Sequence, residues 1–240
     1  MLRFYISCLF ILFGFSAFSQ EIETDSVAPI KDKYGLRVGL DIVRPIITFV
    51  DEDVTAFEVV ADYRINQKIY AAVELGYLDR FVDEDYHDFT TKGSYIKIGA
   101  NYNLYKNMVG MNNEVYVGVR YGFSSFATTL HNYTPNFYGT YFDEEVIETN
   151  IEQDGLTAHW GEFVMGLKVE VLNNFYMGGS IALKMMLSQK QPDNYLNMYV
   201  PGFERVYLNN TGISFNYTLS YTIPLYKKER KTAEEPDNKQ

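Results

Sequence analysis

The chain has 240 residues, 21 basic side chains against 31 acidic ones, one cysteine, and 21 tyrosines beside 17 phenylalanines. A formal charge of −10 argues against a nucleic-acid surface, which needs basic groups to meet phosphate. The lone cysteine, Cys8, excludes a disulfide framework and a thiolate metal site.

Residues 1–19 read as an export signal. Arg3 precedes an apolar run from Phe4 to Phe18, and Ala17 and Ser19 give the small-x-small pattern for a cut between Ser19 and Gln20. The run is short for a bilayer-spanning helix, which favours cleavage over an uncleaved anchor. Cys8 lies inside the signal rather than at the cut, where a lipid-anchored cysteine would stand. Cleavage removes one charge, Arg3, and leaves 20 basic against 31 acidic residues, about −11. Beyond the signal no apolar run approaches bilayer length, so a helical membrane protein is excluded. Residues 20–33 form a polar leader containing Pro29.

From residue 34 the pattern has a period of two, the signature of strands whose faces differ. The first segment, 34–49, alternates Leu36, Val38, Leu40 and Ile42 with Arg37, Gly39 and Asp41, and Pro45 belongs at its rim end. The second, 54–65, opposes Phe57, Val59, Ala61, Tyr63 and Ile65 to Glu58, Val60, Asp62 and Arg64. A tight turn at 66–68 leads to the third, 69–77, with Glu74 on the polar face. The fourth, 94–104, sets Ile96, Ile98, Ala100, Tyr102 and Leu104 against Tyr95, Lys97, Gly99, Asn101 and Asn103. The fifth, 114–123, carries Glu114 and Arg120 opposite its valines, and the sixth, 160–171, carries Glu162, Lys168 and Glu170. A seventh, 175–187, holds Lys184 on its polar face, and an eighth, 212–225, closes the set.

Eight such segments without a convincing helix predict an all-β, eight-stranded antiparallel up-and-down transmembrane β-barrel at 34–226. Connection lengths agree: 66–68, 105–113 and 172–174 are short, whereas 78–93, 124–159 and 188–211 are long. Outer-membrane barrels place short turns in the periplasm and long loops outside. Only the short link at 51–53 breaks the trend. A soluble lipocalin-like carrier alternates in the same way with its polarity reversed. Charge-free apolar faces, small residues on the opposite faces and aromatics near strand ends favour lipid outside. Tyr63, Tyr77, Tyr102, Tyr121, Phe123, Phe163, Phe175 and Tyr221 would form the two aromatic girdles.

The polar face then points into the barrel. Its charges are Arg37, Asp41, Glu58, Asp62, Arg64, Glu74, Lys97, Glu114, Arg120, Glu162, Lys168, Glu170 and Lys184, seven acidic and six basic. Near-neutrality and the narrow bore of eight strands predict a lumen plugged by paired charges. The alternative is a narrow solute channel, in which Glu58, Asp62 and Glu74 would group three carboxylates. An enzymatic reading places His159 with Ser124 or Ser125 and Glu162 as a rim nucleophile set acting on lipid, with no local motif to fix it. His87 and His131 also fall in predicted external loops. Those loops interleave acids and aromatics, which suits contact with an extracellular protein or glycan. Acidic oxygens there would accept Ca²⁺, but no EF-hand spacing occurs, and no cofactor is expected. Residues 227–240 form a charged flexible tail on the periplasmic side, too short for a peptidoglycan-binding domain.

The ending Ala17-Phe18-Ser19-Gln20, the eight alternating segments and their aromatic ends resemble the small Gram-negative outer-membrane β-barrel proteins of the OmpA/OmpX type. The resemblance spans about 34–225 and rests on pattern rather than an invariant motif. It implies integral placement in the outer membrane, contact with outer-membrane lipid, and a structural or surface role without catalytic residues. The chain departs from many such barrels where Tyr226 is followed by a charged tail. That departure moves any terminal aromatic assembly signal inward, to Tyr221 or Tyr226.

Overall fold

Period-two alternation becomes strand almost throughout, and the strands close on themselves. The computed structural model describes residues 31–108, 111–135, 146–193, 195–207 and 209–229. The predicted signal at 1–19, most of the leader and residues 230–240 of the tail lie outside these. The elements are β1 (Lys31–Asp41), α1 (Val43–Val50), β2 (Val54–Arg64), β3 (Ile69–Glu84), β4 (His87–Asn103), β5 (Glu114–Tyr133), β6 (Ile147–Leu172) and β7 (Phe175–Gln189). The two-residue strands β8 (Tyr199–Val200) and β9 (Glu204–Arg205) follow, then β10 (Thr211–Glu229). The barrel order is β1-β10-β7-β6-β5-β4-β3-β2, with β8 and β9 paired separately. Every ring pairing is antiparallel, and β1 against β10, from Lys31↔Glu229 to Asp41↔Thr218, closes the ring. Closure removes the unpaired edges that a flat sheet would expose.

The turns explain themselves chemically. Asn66 Oδ1 accepts the backbone N–H groups of Lys68 and Ile69 at 2.8 Å each, tightening the β2–β3 turn. Asn174 takes φ 65° in the β6–β7 turn, a left-handed conformation that asparagine tolerates.

Three boundaries differ from the sequence reading. The first segment does not run to 49: β1 stops at Asp41 and α1 follows. Pro45 stands in the first turn of α1, where its missing N–H has no intrahelical partner to lose. The ends of the barrel also move outward, since β1 starts at Lys31 and β10 reaches Glu229. Residues 31–33 of the predicted leader and 227–229 of the predicted tail are therefore strand.

The third difference is the largest. Much of 78–93 and 124–159, predicted as loop, is strand: β3 continues to Glu84, β4 begins at His87, β5 reaches Tyr133 and β6 begins at Ile147. These four strands rise as a wall above the others, because β2 begins only at Val54 opposite Arg80 and β7 ends at Gln189 opposite Ala158. Residues 136–145 lie outside the described residues.

Along this wall the polarity inverts without a change of face. Below the level of Tyr77 on β3, outward Ile69, Val73 and Leu75 are exposed and inward Tyr70 and Ala72 are buried beside Glu74. Above it the inward Leu78 is buried and apolar, whereas Asp79 points out and pairs with Lys92 at 3.0 Å. On β5, outward Val115, Val119 and Tyr121 give way to Ser125 and Thr129, and inward Glu114 and Arg120 give way to Phe126 and Leu130. The switch falls on one line of paired residues across the four strands, since Tyr77 pairs with Ser94, Ser94 with Ser125 and Ser125 with Thr157. The barrel is polar inside and apolar outside in its lower part, and the reverse above.

Candidate functional site: the barrel interior and its mouth

The structure places the predicted interior charges on the inner face and sorts them by height. At the bottom, Arg64 pairs with Asp32 at 3.3 Å and lies over the Tyr34 ring at 4.6 Å. Glu170 meets Lys33 at 3.9 Å. Higher, Arg37 pairs with Asp62 at 3.3 Å and with Glu114, while its guanidinium stacks 4.4 Å from the Tyr176 centroid. Lys168 closes this group on Asp62.

The middle layer is built around Lys97. Its ammonium lies 3.2 Å from Glu58 and 2.8 Å from Glu74, and Arg120 reaches Glu74 at 3.1 Å. Arg120 also donates to Asn101 at 2.7 Å, and Asn216 donates to Asp41 at 2.8 Å and Glu58 at 3.1 Å. Glu58, Asp62 and Glu74 line one central void, but each is paired with a cation: Glu58 and Glu74 share Lys97, and Asp62 meets Arg37 and Lys168. The void among these layers measures about 30 Å³, and one beside Arg37 and Arg64 about 20 Å³. Each is near the volume of one water.

The upper end is filled by apolar side chains instead. The chain between β7 and β10 folds inward, so that Val200 and Phe203 are fully buried with Trp160, Leu156, Phe126 and Tyr95. Trp160 meets Phe203 edge-on at 6.0 Å and donates its indole N–H to Glu162 at 2.7 Å. Lys184, 3.9 Å from Glu162, donates to the Gly202 carbonyl at 2.8 Å. Gly202 is required here: its φ is 82°, and a Cβ would come within 2.5 Å of the Tyr95 ring. Glu204 has φ 76° and is held by Arg44 of α1, which also lies 3.8 Å from Asp41. Burial raises the Glu204 carboxyl pKa, but Lys184 and Arg44 outweigh it and hold the group below its ordinary range. This inserted plug was not foreseen, although Pro201-Gly202 is a turn signal in its middle.

Over the plug, against the inner face of the tall wall, lies a cavity of about 770 Å³. Tyr86, Tyr199 and Tyr207 line it with Arg80 and Arg205. Arg205 pairs with Glu84 at 3.1 Å, and Arg80 donates to the Tyr199 hydroxyl at 3.3 Å. No group of three potential metal ligands occurs among the described residues.

The proposed nucleophile set does not assemble. His159 is on the outer face, sharing a 2.6 Å hydrogen bond with Tyr121, whereas Ser124 and Glu162 are buried inside. Ser124 donates to the Ser94 carbonyl at 3.3 Å, and Ser125 is on the outward face beside Thr157. His131 bonds Thr90 at 2.8 Å and Asn150 at 3.1 Å. His87 stacks on Phe89 at 5.4 Å near the β3–β4 tip, where burial lowers its pKa. The eight aromatics predicted for the girdles lie on the outer face. Tyr63, Tyr102, Phe175 and Tyr221 are toward the short-turn end, with Tyr77, Tyr121, Phe123 and Phe163 higher.

Against known families, the model of a domain of unknown function, DUF6048, matches residues 1–228. The chain belongs to the DUF6048 family. No curated protein matches this DUF6048 chain. Among solved structures it is similar to Ail, the attachment invasion locus protein of Yersinia pestis. Identity is 9%, coverage 79% of this chain and 97% of that one, and the TM-score 0.38. Neisserial surface protein A is similar at 10% identity, covering 79% of this chain and 95% of that one, with TM-score 0.38. The ring of paired strands, rather than either likeness, establishes the fold of this DUF6048 chain.

Proposed function

We propose that this DUF6048 chain is an integral outer-membrane barrel with a sealed interior, acting at its outer end through surface contact rather than catalysis. The polarity inversion along β3–β6 carries the membrane reading. In water an exposed belt of Leu, Ile, Val and Phe on every barrel strand costs free energy, whereas in lipid it is the required surface. The belt stops where Ser94, Ser125 and Thr157 take over the outer face, as a strand leaving the hydrocarbon for water must. The short-turn end is then periplasmic and the tall wall extracellular.

The sealed interior supports a structural lumen over a channel. A conducting pore needs a continuous wet path, and here the ion pairs leave voids of about 30 and 20 Å³ beneath an apolar plug. The mouth cavity of about 770 Å³ is within the size range of ligand sites. Its tyrosines and arginines suit a protein side chain or a glycan, both of which combine apolar faces with hydrogen-bonding edges. In the test, the purified protein is run boiled and unboiled on a gel and then added to a planar bilayer. We expect membrane fractionation, heat-dependent mobility and no discrete conductance. Stable single-channel steps would overturn the sealed lumen, and recovery as a soluble protein would overturn the membrane reading.

A further inference from the structure

The two most exposed large apolar side chains among the described residues, Phe49 at 90% and Val50 at 81%, are on α1 rather than on the barrel strands, and Ile46 of the same helix is 54% exposed. Their spacing of i, i+3 and i+4 puts all three on one face of the helix. The opposite face is committed inward. Arg44 is buried on Asp41 and Glu204, Ile47 packs against the cluster containing Val54, Leu78 and Tyr199, and Thr48 accepts the Ala56 N–H at 2.9 Å. These contacts fix the roll of the helix, so the apolar stripe cannot turn in to cover itself.

The stripe continues the outer belt. Leu40, just before α1, is 53% exposed, and Phe57, just after it, is 52% exposed on the same outer side of the barrel. Here the barrel wall is lowest, because β1 ends at Asp41 and β2 begins at Val54, whereas β3 climbs to Glu84. Asp51, Glu52 and Asp53 follow at once and mark the return to water. With its one basic residue turned inward, α1 would be held by apolar burial rather than by attraction to anionic headgroups.

We propose that α1 is an interfacial anchor, with Ile46, Phe49 and Val50 seated in the hydrocarbon–headgroup boundary of the outer leaflet beside the low wall of the barrel. This rests on the membrane reading above, and the test separates the two. Cys8 is the only cysteine in the chain, so on a Cys8→Ser background single replacements carry one environment-sensitive fluorophore each. Labels at Phe49→Cys, Leu40→Cys and Glu52→Cys are compared in phosphatidylethanolamine/phosphatidylglycerol vesicles, with spin-labelled acyl chains and aqueous iodide as quenchers. We expect position 49 to show blue-shifted emission and acyl-chain quenching within twofold of position 40, with position 52 quenched by iodide. Val50→Cys should behave as position 49. Iodide quenching at 49 and 50 with lipid quenching at 40 would overturn the anchor and leave the barrel reading standing. Protection of 49 and 50 from both quenchers would also overturn it, showing that protein covers the stripe. Aqueous behaviour at position 40 would overturn the membrane reading as well.

Discussion

Lys97 holds two carboxylates in the middle of the barrel, 3.2 Å from Glu58 and 2.8 Å from Glu74, and is itself almost fully buried. Removing the cation leaves its partners buried and short of charge, so Lys97→Met should destabilise the barrel by about 3–5 kcal/mol. The urea midpoint of the folded gel band measures it, and adding Glu58→Gln should recover part of the loss. Gly202 is the corresponding position in the plug. Gly202→Ala forces a Cβ against Tyr95 at a left-handed φ and should cost about 1–3 kcal/mol, read by the same midpoint. Alternation gave the inward face of these charges, but their pairings were not legible. Period two assigns a face and not a height, and the barrel's shear decides which strands meet across the bore. Lys168 thus finds Asp62, 106 positions away in the chain.

At the scale of elements, the eight strands were legible because each carries a charge-free apolar face through its lower part. The upper halves of β3–β6 were missed for a physical reason. A scan for apolar outward residues stops at Tyr77 and Phe123, where the outward face turns polar, although the backbone continues as strand. The two-residue phase of Leu78, Arg80 and Val82, or of Phe126, Thr128 and Leu130, was the available signal. The helix was masked by extending the first alternation through Pro45, although Ile46, Phe49 and Val50 keep helical spacing. The plug is locked to α1 through Arg44 and Glu204, and this pair makes it sensitive to acid. The Glu204 pKa lies below its ordinary 4.5 in the folded protein. Its stabilising contribution is therefore present above that value and is lost as pH falls through the lowered pKa. A spin label at Tyr207→Cys should gain mobility in strong acid, with neutral pH restoring order. Glu204→Gln should mobilise it already at pH 7, since a charge-assisted bond of about 1.5–3 kcal/mol is gone.

For the whole molecule, the lower barrel and the tall wall are built on opposite solvent rules. The lower part hides charge and presents an apolar outer surface, whereas the wall hides Phe89, Phe126 and Leu130 and presents Asp79, Lys92 and Ser125. One set of continuous strands satisfies both rules only if a solvent boundary crosses it at the Tyr77–Ser94–Ser125–Thr157 level. The most direct test places single cysteines along the outward face of β5, on a Cys8→Ser background, and labels intact outer membranes with an impermeant maleimide. Ser125→Cys and Thr129→Cys should label, and Val119→Cys and Tyr121→Cys should be protected until the protein is unfolded. Equal labelling at all four positions, or protection at 125 and 129 with labelling at 119, would contradict a membrane boundary at that level.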